Sequence, residues 1–363
     1  MKKIILIIII VFLSSSCFNR NSYEQGVLNE HYNQNVPDTL NAWSKIYNNR
    51  LLMSVNEINK YNEGFFNNDF LRDLNDYHYS HQKGIIINRA LILNALPEYE
   101  LEDEEDIPNL DEIIIPDELK EIYLKIGTPV LIIEEVDDVW FRVISENFEG
   151  WTARSNVAVT TMNDWNRYTN IEDFIIITEP IIGFEDKIID MGTKLPLTSI
   201  RDDHYRALIY CLGTRNNLVM KDIVIPNDKA HIGYLPYTNR NIVIQALKYD
   251  DITYTDGMTN NLLISNIFST FGFILPLEPY KLLEAIEKNF PSNRIYQEAR
   301  IKSIEDSKHP SVLYRSDDVM FHFGKRNNKH FVLRLNELSR KISYEELLST
   351  DNIFNITYIG HLN

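Results

Sequence analysis

Hydrolysis by side chains needs an activated nucleophile beside a base, or a metal ion held by several ligands. This 363-residue chain holds few residues suited to either. Its two cysteines are Cys17 and Cys211. Cys211 sits in the apolar phrase Ala207-Leu208-Ile209-Tyr210-Cys211-Leu212, which reads as a buried strand and leaves no plausible catalytic thiol. Ser265 falls five positions after Asn260 in a helical stretch, on a different face, and no Gly-x-Ser-x-Gly elbow surrounds any serine. His78 and His81 stand three apart beside Asp76, but no second ligand cluster accompanies them, so a solvated turn is favoured over a metal site. No His-x-x-x-His pair occurs. His322 shares a strand face with Asp318 yet lies about 13 Å along the strand, so packing or a surface strand position suits it better than catalysis. Neither a metal nor a cofactor is implied.

Cys17 has chemistry of another kind. Before it come Lys2 and Lys3, an apolar run from Ile4 to Leu13, and Ser14-Ser15-Ser16. Ten apolar residues are too few to span a bilayer, which needs about 20, and the arrangement is that of an export signal over residues 1–17. A cysteine directly after small residues marks a lipoprotein site, although Leu13 lies four positions before it and not the usual three. Ordinary cleavage with an unmodified Cys17 is the alternative. Acyl chains on Cys17 would tether the protein to a membrane of the cell envelope, on the periplasmic or outer side. Apart from a Cys17–Cys211 pair, the mature chain can form no internal disulfide. A formal charge of −16 excludes nucleic acid and adhesion to anionic lipid as binding modes.

The best specified stretch runs from His231 to Pro279. It contains Gly233-Tyr-Leu-Pro-Tyr-Thr238, a helix near Asn239 to Lys248, a loop, and a second helix. Thr259, Asn260 and Asn261 are capping residue types, Leu263, Ile267 and Phe271 recur every four, and Gly272 stands where a left-handed cap belongs.

These phrases resemble the core of the NlpC-type peptidases, papain-like enzymes that cut cell-wall peptides. Laid over that family's motifs, the nucleophilic cysteine falls on Asn260. The first histidine falls on Asp318, in Asp317-Asp318-Val319-Met320-Phe321-His322-Phe323-Gly324, and the second on Arg334, in His330-Phe331-Val332-Leu333-Arg334. An asparagine amide cannot ionise and is no nucleophile, although it is an excellent helix N-cap. The resemblance therefore implies a degenerate site with no catalytic residues, a pseudoenzyme. It further implies that Asp318 and Arg334, on adjacent strands, form an ion pair within about 4 Å opposite Asn260.

The remaining elements fit the same family. Residues 18–40 are polar and Asn-rich, a tether. Residues 41–84 carry helical spacing through Trp43, Ile46, Tyr47, Leu51, Leu52, Val55 and Ile58, and resemble the helical N-terminal stabilising region of multi-domain members. Residues 85–160 read as short strands, at Arg89–Leu93, Pro129–Ile133, Val139–Val143 and Gly150–Ala153. Gly127-Thr128-Pro129, Trp140 and Gly150-Trp151 resemble a bacterial SH3-like domain, interrupted by an insert at 98–121 with twelve acidic residues and one lysine. Such a charge run is usually a solvated loop; a lure for a basic partner or a divalent cation is the other reading. Residues 168–230 read as a second SH3-like domain. Residues 231–363 place helices before strands, at Ser311–Tyr314, Val319–Phe323, Phe331–Leu335 and Ile353–Ile359, the papain-like arrangement. The expected architecture is thus multi-domain α+β: a helical N-terminal region, two small SH3-like β-barrels and a C-terminal papain-like domain.

Two functions follow from this reading. One is non-catalytic binding of peptidoglycan peptides, or a scaffold in the envelope; the other is regulation of another envelope protein through the acidic insert. Tyr234, Tyr237, Tyr249 and Tyr254 lie beside the family's substrate groove and are the candidate ligand contacts. Trp140 and Trp151 could stack on ligand, but a small barrel needs large core side chains, and packing is favoured for both.

Overall fold

The computed structural model describes residues 42–43, 46–65, 81–98, 113–214, 216–254, 257–278, 281–285, 292–294, 310–315, 318–336, 339–347 and 358–361. The export segment with Cys17, the tether, His78, and most of the acidic insert lie outside the described residues. The chain divides into two units, Met1–Lys45 and Ile46–Asn363. In the first, residues 42–43 are helical.

In the second unit a strand interrupts the stretch where helical spacing predicts a continuous helix. Strand β1 (Leu51–Met53) pairs antiparallel with residues Tyr237 and Thr238, far along the chain. Helix α1 (Val55–Phe65) begins only after it. Ser54 starts that helix with a reciprocal cap: its amide and hydroxyl both donate to Glu57 Oε2 at 2.7 Å. Buried Asn62 then clamps a distant segment. Its Nδ2 donates to the Gly272 carbonyl at 2.8 Å, and its Oδ1 accepts from Ile274 N at 3.1 Å.

Seven antiparallel strands follow: β2 (Gln82–Ile86), β3 (Ala90–Leu93), β4 (Lys120–Leu124), β5 (Pro129–Val136), β6 (Trp140–Ile144), β7 (Glu149–Ala153) and β8 (Val157–Thr160). They form one sheet in the order β4-β3-β7-β6-β5-β2-β8. The acidic insert is not a loop to its end. Lys120 and Glu121 enter β4, which pairs with β3 through Leu91–Tyr123 and Ile92–Ile122 and buries Ile122 and Leu124. Gly150 is required for close approach in β7, since a Cβ there would stand 2.6 Å from the Leu93 carbonyl oxygen.

Helix α2 (Met162–Thr169), capped by the Thr161 hydroxyl accepting from Asp164 N, leads to the second sheet. Its strands are β9 (Phe174–Ile177), β10 (Ile181–Phe184), β11 (Lys187–Asp190), β12 (Lys194–Ile200), β13 (His204–Leu212), β14 (Leu218–Pro226) and β15 (Ala230–Ile232). Five of these run β14-β13-β12-β9-β15, and β10 with β11 makes a separate hairpin. The two sheets share a core. Ile85, Ile87, Ile126 and Ala158 of the first cluster with Ile175, Ile177, Leu195, Ile209 and Ile223 of the second. The turn after β2 is gripped as well, because Lys187 Nζ donates to the Ile87 carbonyl at 2.9 Å and to Asn88 Oδ1 at 2.6 Å.

Glu146, in the β6–β7 turn, is only partly exposed, and burial pushes its carboxyl up to about 7 despite Lys194 nearby. A carboxylate raised this way stabilises the fold fully below its ordinary value of 4.5, and that contribution is lost as pH rises through about 7. Glu146→Gln is therefore expected to flatten the stability profile across this window. At alkaline pH the gain should be on the order of 2 kcal/mol, read from urea melts at a series of pH values.

The C-terminal part starts with β16 (Tyr237–Thr238), helix α3 (Asn239–Leu247) and helix α4 (Asn260–Ser269). A six-stranded antiparallel sheet completes it: β17 (Ser292–Arg294), β18 (Ser311–Arg315), β19 (Asp318–Arg326), β20 (Lys329–Asn336), β21 (Lys341–Glu346) and β22 (Tyr358–His361). Their order is β17-β22-β18-β19-β20-β21. Helix α4 is buried along its length, with Leu263, Ile264, Ile267 and Phe268 at 0–1 % exposure. Tyr47 reaches this sheet and donates its hydroxyl to the Phe323 carbonyl.

Candidate functional site

Helix α4 is capped by Thr259, whose extended backbone and hydroxyl accepting from Leu262 N at 3.1 Å meet the requirements of an N-cap. Asn260 is therefore the first helical residue and not the cap. Its carboxamide does something the sequence did not announce. Oδ1 accepts from the Leu335 amide of β20 at 2.7 Å, and the residue is 8 % exposed. The ladder between β19 and β20 begins at Phe321–Leu333, so Leu335 lies two residues beyond that pair, and Asn260 takes its N–H. Asn261 is bonded too, donating from Nδ2 to the Leu277 carbonyl at 3.1 Å. Both amides fasten the helix start to its surroundings.

Arg334 sits on β20 opposite Ser343 of β21, and its Nε is held by Glu345, two residues along the same strand. Among the described residues Arg334 pairs with Glu345, while the expected Asp318–Arg334 contact falls on a side chain outside the described residues. Glu345 is diagonal to Arg334 in that register, so the guanidinium turns toward the edge strand. Asp318 opens β19, paired in backbone with Arg315; its side chain lies outside the described residues. Glu345 carried no signal in the sequence, since β21 was not foreseen.

His322 is fully buried and belongs to a hydrogen-bonded chain. Ser311 Oγ lies 2.9 Å from His322 Nδ1, and His322 Nε2 lies 3.1 Å from His330 Nδ1, with the two rings stacked 5.3 Å apart. Serine, histidine and a second orienting group are the parts of a nucleophile relay. Here Ser311 is 0 % exposed and His330 7 %, so substrate has no access and the chain serves the core. Parity could have paired Ser311 with His322, but only once the β18–β19 register was known.

The candidate aromatic contacts do not converge on one surface. Tyr237 is 1 % exposed and packs against Phe271 and Phe273 at 5.4 and 4.8 Å between centroids. Tyr249 and Tyr254 stack on each other at 6.2 Å, both buried. Their loop runs along β21, where Tyr254 N donates to the Arg340 carbonyl and Tyr344 N to Asp250 Oδ1. Tyr234 meets Phe174 edge-on at 4.9 Å. Trp140 is 2 % exposed in a cluster with Leu93 and Val139, and Trp151 packs partly buried against that cluster.

Cys211 is buried on β13, and burial pushes its thiol up, away from the thiolate a nucleophile needs. Among the described residues no group of three or more His, Cys, Asp or Glu side chains could hold a metal ion. Among the same residues no helix is long and apolar enough to cross a membrane.

No family model matches this sequence, and no curated protein matches it. Solved structures do. One is an NlpC/P60 endopeptidase from Photobacterium damselae subsp. piscicida, at TM-score 0.57 and 14 % identity over 76 % of this chain and 72 % of that one. Another is an NlpC/P60 family protein from Bacillus cereus ATCC 10987, at TM-score 0.53 and 13 % identity over 77 % of this chain and 99 % of that one. Identities this low establish a fold. The fold is NlpC/P60-like.

Proposed function

We propose that this chain is an exported, lipid-anchored protein of the cell envelope whose NlpC/P60-like domain binds cell-wall peptide, or serves as a scaffold there, without cutting it. Two SH3-like domains and the tether behind Cys17 belong to the same reading. The observation that carries it is the Asn260 carboxamide, bound to the Leu335 amide at the helix start. By resemblance the family's thiol stands at this place. An amide fixed in the backbone of the neighbouring sheet supplies no nucleophile, and it gives the position a structural reason to be asparagine. The buried Cys211 offers no substitute. Likeness of fold to a protein named as an endopeptidase supports the cell-wall side of the reading.

The test is incubation of the purified soluble part, from Phe18 onward, with isolated sacculi. Retention on the sacculi is expected, with no soluble peptides above the buffer control by mass spectrometry. Released peptides would overturn the non-catalytic reading. Passage of all the protein into the supernatant would remove peptide binding.

A further inference from the structure

The loop after α3 meets helix α4 at buried polar side chains that have no hydrogen-bond partner among the described residues. Asn266 of α4 is 1 % exposed, and neither its Oδ1 nor its Nδ2 is bonded. The hydroxyls of Tyr249 and Tyr254, residues 0 % and 4 % exposed, are unbonded as well. The three side chains stand together. The two rings stack at 6.2 Å between centroids. Burial pushes the Tyr249 hydroxyl well above its ordinary value, and Tyr254, Asp190 and Asn266 all act on it as near neighbours. Tyr254 and Asn266 come close to that hydroxyl without reaching hydrogen-bond geometry. Buried polar groups are ordinarily partnered, by protein or by ordered water.

The surrounding structure holds these groups apart. Asp251 N donates to the Ile342 carbonyl at 2.9 Å, Ile342 N to the Ile252 carbonyl at 2.8 Å and Tyr254 N to the Arg340 carbonyl at 2.8 Å, so the loop is pinned along β21. Arg89, bonded to both Asp190 oxygens, lies over the Tyr254 ring at 5.7 Å and fixes it further. Helix α4 is buried along its length, so it cannot shift toward the loop without repacking. The chemistry of the cluster then selects its occupant. Two hydroxyls and a carboxamide offer donors and acceptors together. An anion is disfavoured, because the Asp190 carboxylate acts on both tyrosines. A metal cation is disfavoured, because the Arg89 guanidinium stands over Tyr254 and already takes both Asp190 oxygens. A neutral molecule that donates and accepts and fits a close-packed junction is water.

We infer that an ordered water is bound among Tyr249, Tyr254 and Asn266 and bonds the loop after α3 to the flank of α4. Asn266 lies six residues after Asn260, about 120° around the helix, so the site is separate from the Asn260 position. It does not depend on whether the protein binds or cuts cell-wall peptide.

A high-resolution crystal structure of the whole protein tests it. A density peak is expected within about 2.7–3.2 Å of the Asn266 carboxamide and of at least one of the two tyrosine hydroxyls. Direct bonds among the three side chains with no peak between them, or a dry gap, would overturn the inference. Oxygen-17 relaxation dispersion in solution needs no crystal. The parent should hold one more long-lived water than the Tyr249→Phe, Asn266→Leu double variant, and an equal count would sink the idea. Tyr249→Phe and Tyr254→Phe are milder changes, since each keeps its ring. Loss of a water-bonded hydroxyl should raise the unfolding equilibrium constant about fivefold, whereas loss of an unbonded buried hydroxyl should lower it. Urea melts read the sign, and the inference fails if neither variant unfolds more readily than the parent.

Discussion

Arg89→Met is expected to cost about 3–5 kcal/mol of unfolding free energy, because it removes one partner of a buried ion pair and leaves the other. Arg89, just before β3, donates from Nε to Asp190 Oδ2 at 2.9 Å and makes a second bond to Oδ1. The side chains are 9 % and 6 % exposed. The guanidinium also lies over two rings, Tyr123 at 5.5 Å and Tyr254 at 5.7 Å. It therefore joins the first sheet, the second sheet and the loop beside β21 at one point. Burial holds the Asp190 carboxyl above its ordinary value even with Arg89 and Lys125 pulling it down. A carboxyl raised in the fold stabilises most below its unfolded value and least above its folded one. Removing Arg89 raises it further, so the penalty should be small near about pH 4 and full near about pH 8. Urea melts at the two pH values read this directly. Arg89→Met with Asp190→Leu should recover most of the loss, since a buried pair replaced by apolar groups is often neutral. A loss independent of pH would mean that packing of Arg89 on the two tyrosines, and not the pair, holds the junction.

What the sequence makes legible follows from what is local. Helix α4 was readable because its cap, its period of four and Gly272, here at φ +94°, lie within fifteen residues. The strand Phe174–Ile177 is an unbroken β-branched and aromatic run, a pattern local enough to mark a buried strand. Strand β2 was missed because Gln82, Lys83 and Gly84 break the pattern, although Lys83 is 5 % exposed. Strand β1 was read as helix because its apolar residues continue a helical spacing, and only pairing with Tyr237 and Thr238 makes it a strand. The position of Asn260 could be found by its phrase, but its partner Leu335 lies 75 residues away. The same holds for Arg89 with Asp190, 101 apart, and for Arg334, whose choice of Glu345 depends on a strand that the pattern did not reveal. Side-chain pairing across sheets is decided by register, and register is a property of the folded chain.

Asn260→Cys should destabilise the protein by about 1–3 kcal/mol and confer no hydrolysis. The cost arises because the buried Leu335 amide loses an acceptor at 2.7 Å, and sulfur accepts weakly. A thiol in the first turn of a helix does lose its proton easily, so the new cysteine should react with iodoacetamide faster than the buried Cys211. Attack on a peptide needs more, an imidazole within reach to take and return the proton. His322 and His330 cannot serve, since they are bonded to each other and to Ser311 in the core. Asp318→His and Arg334→His would supply imidazoles, and losing the partly exposed Arg334–Glu345 pair should matter little, about 0–1 kcal/mol. The triple variant is still expected to release no peptide from sacculi. In its loop from Tyr254 to Thr259, Gly257, at φ +84°, packs directly on Tyr123, and the Trp-Gly-Gly of the resembling family is absent. Robust peptide release by the triple variant would show that the groove is preserved around a position changed only in its nucleophile. That outcome would favour peptide binding over a scaffold role in the parent protein.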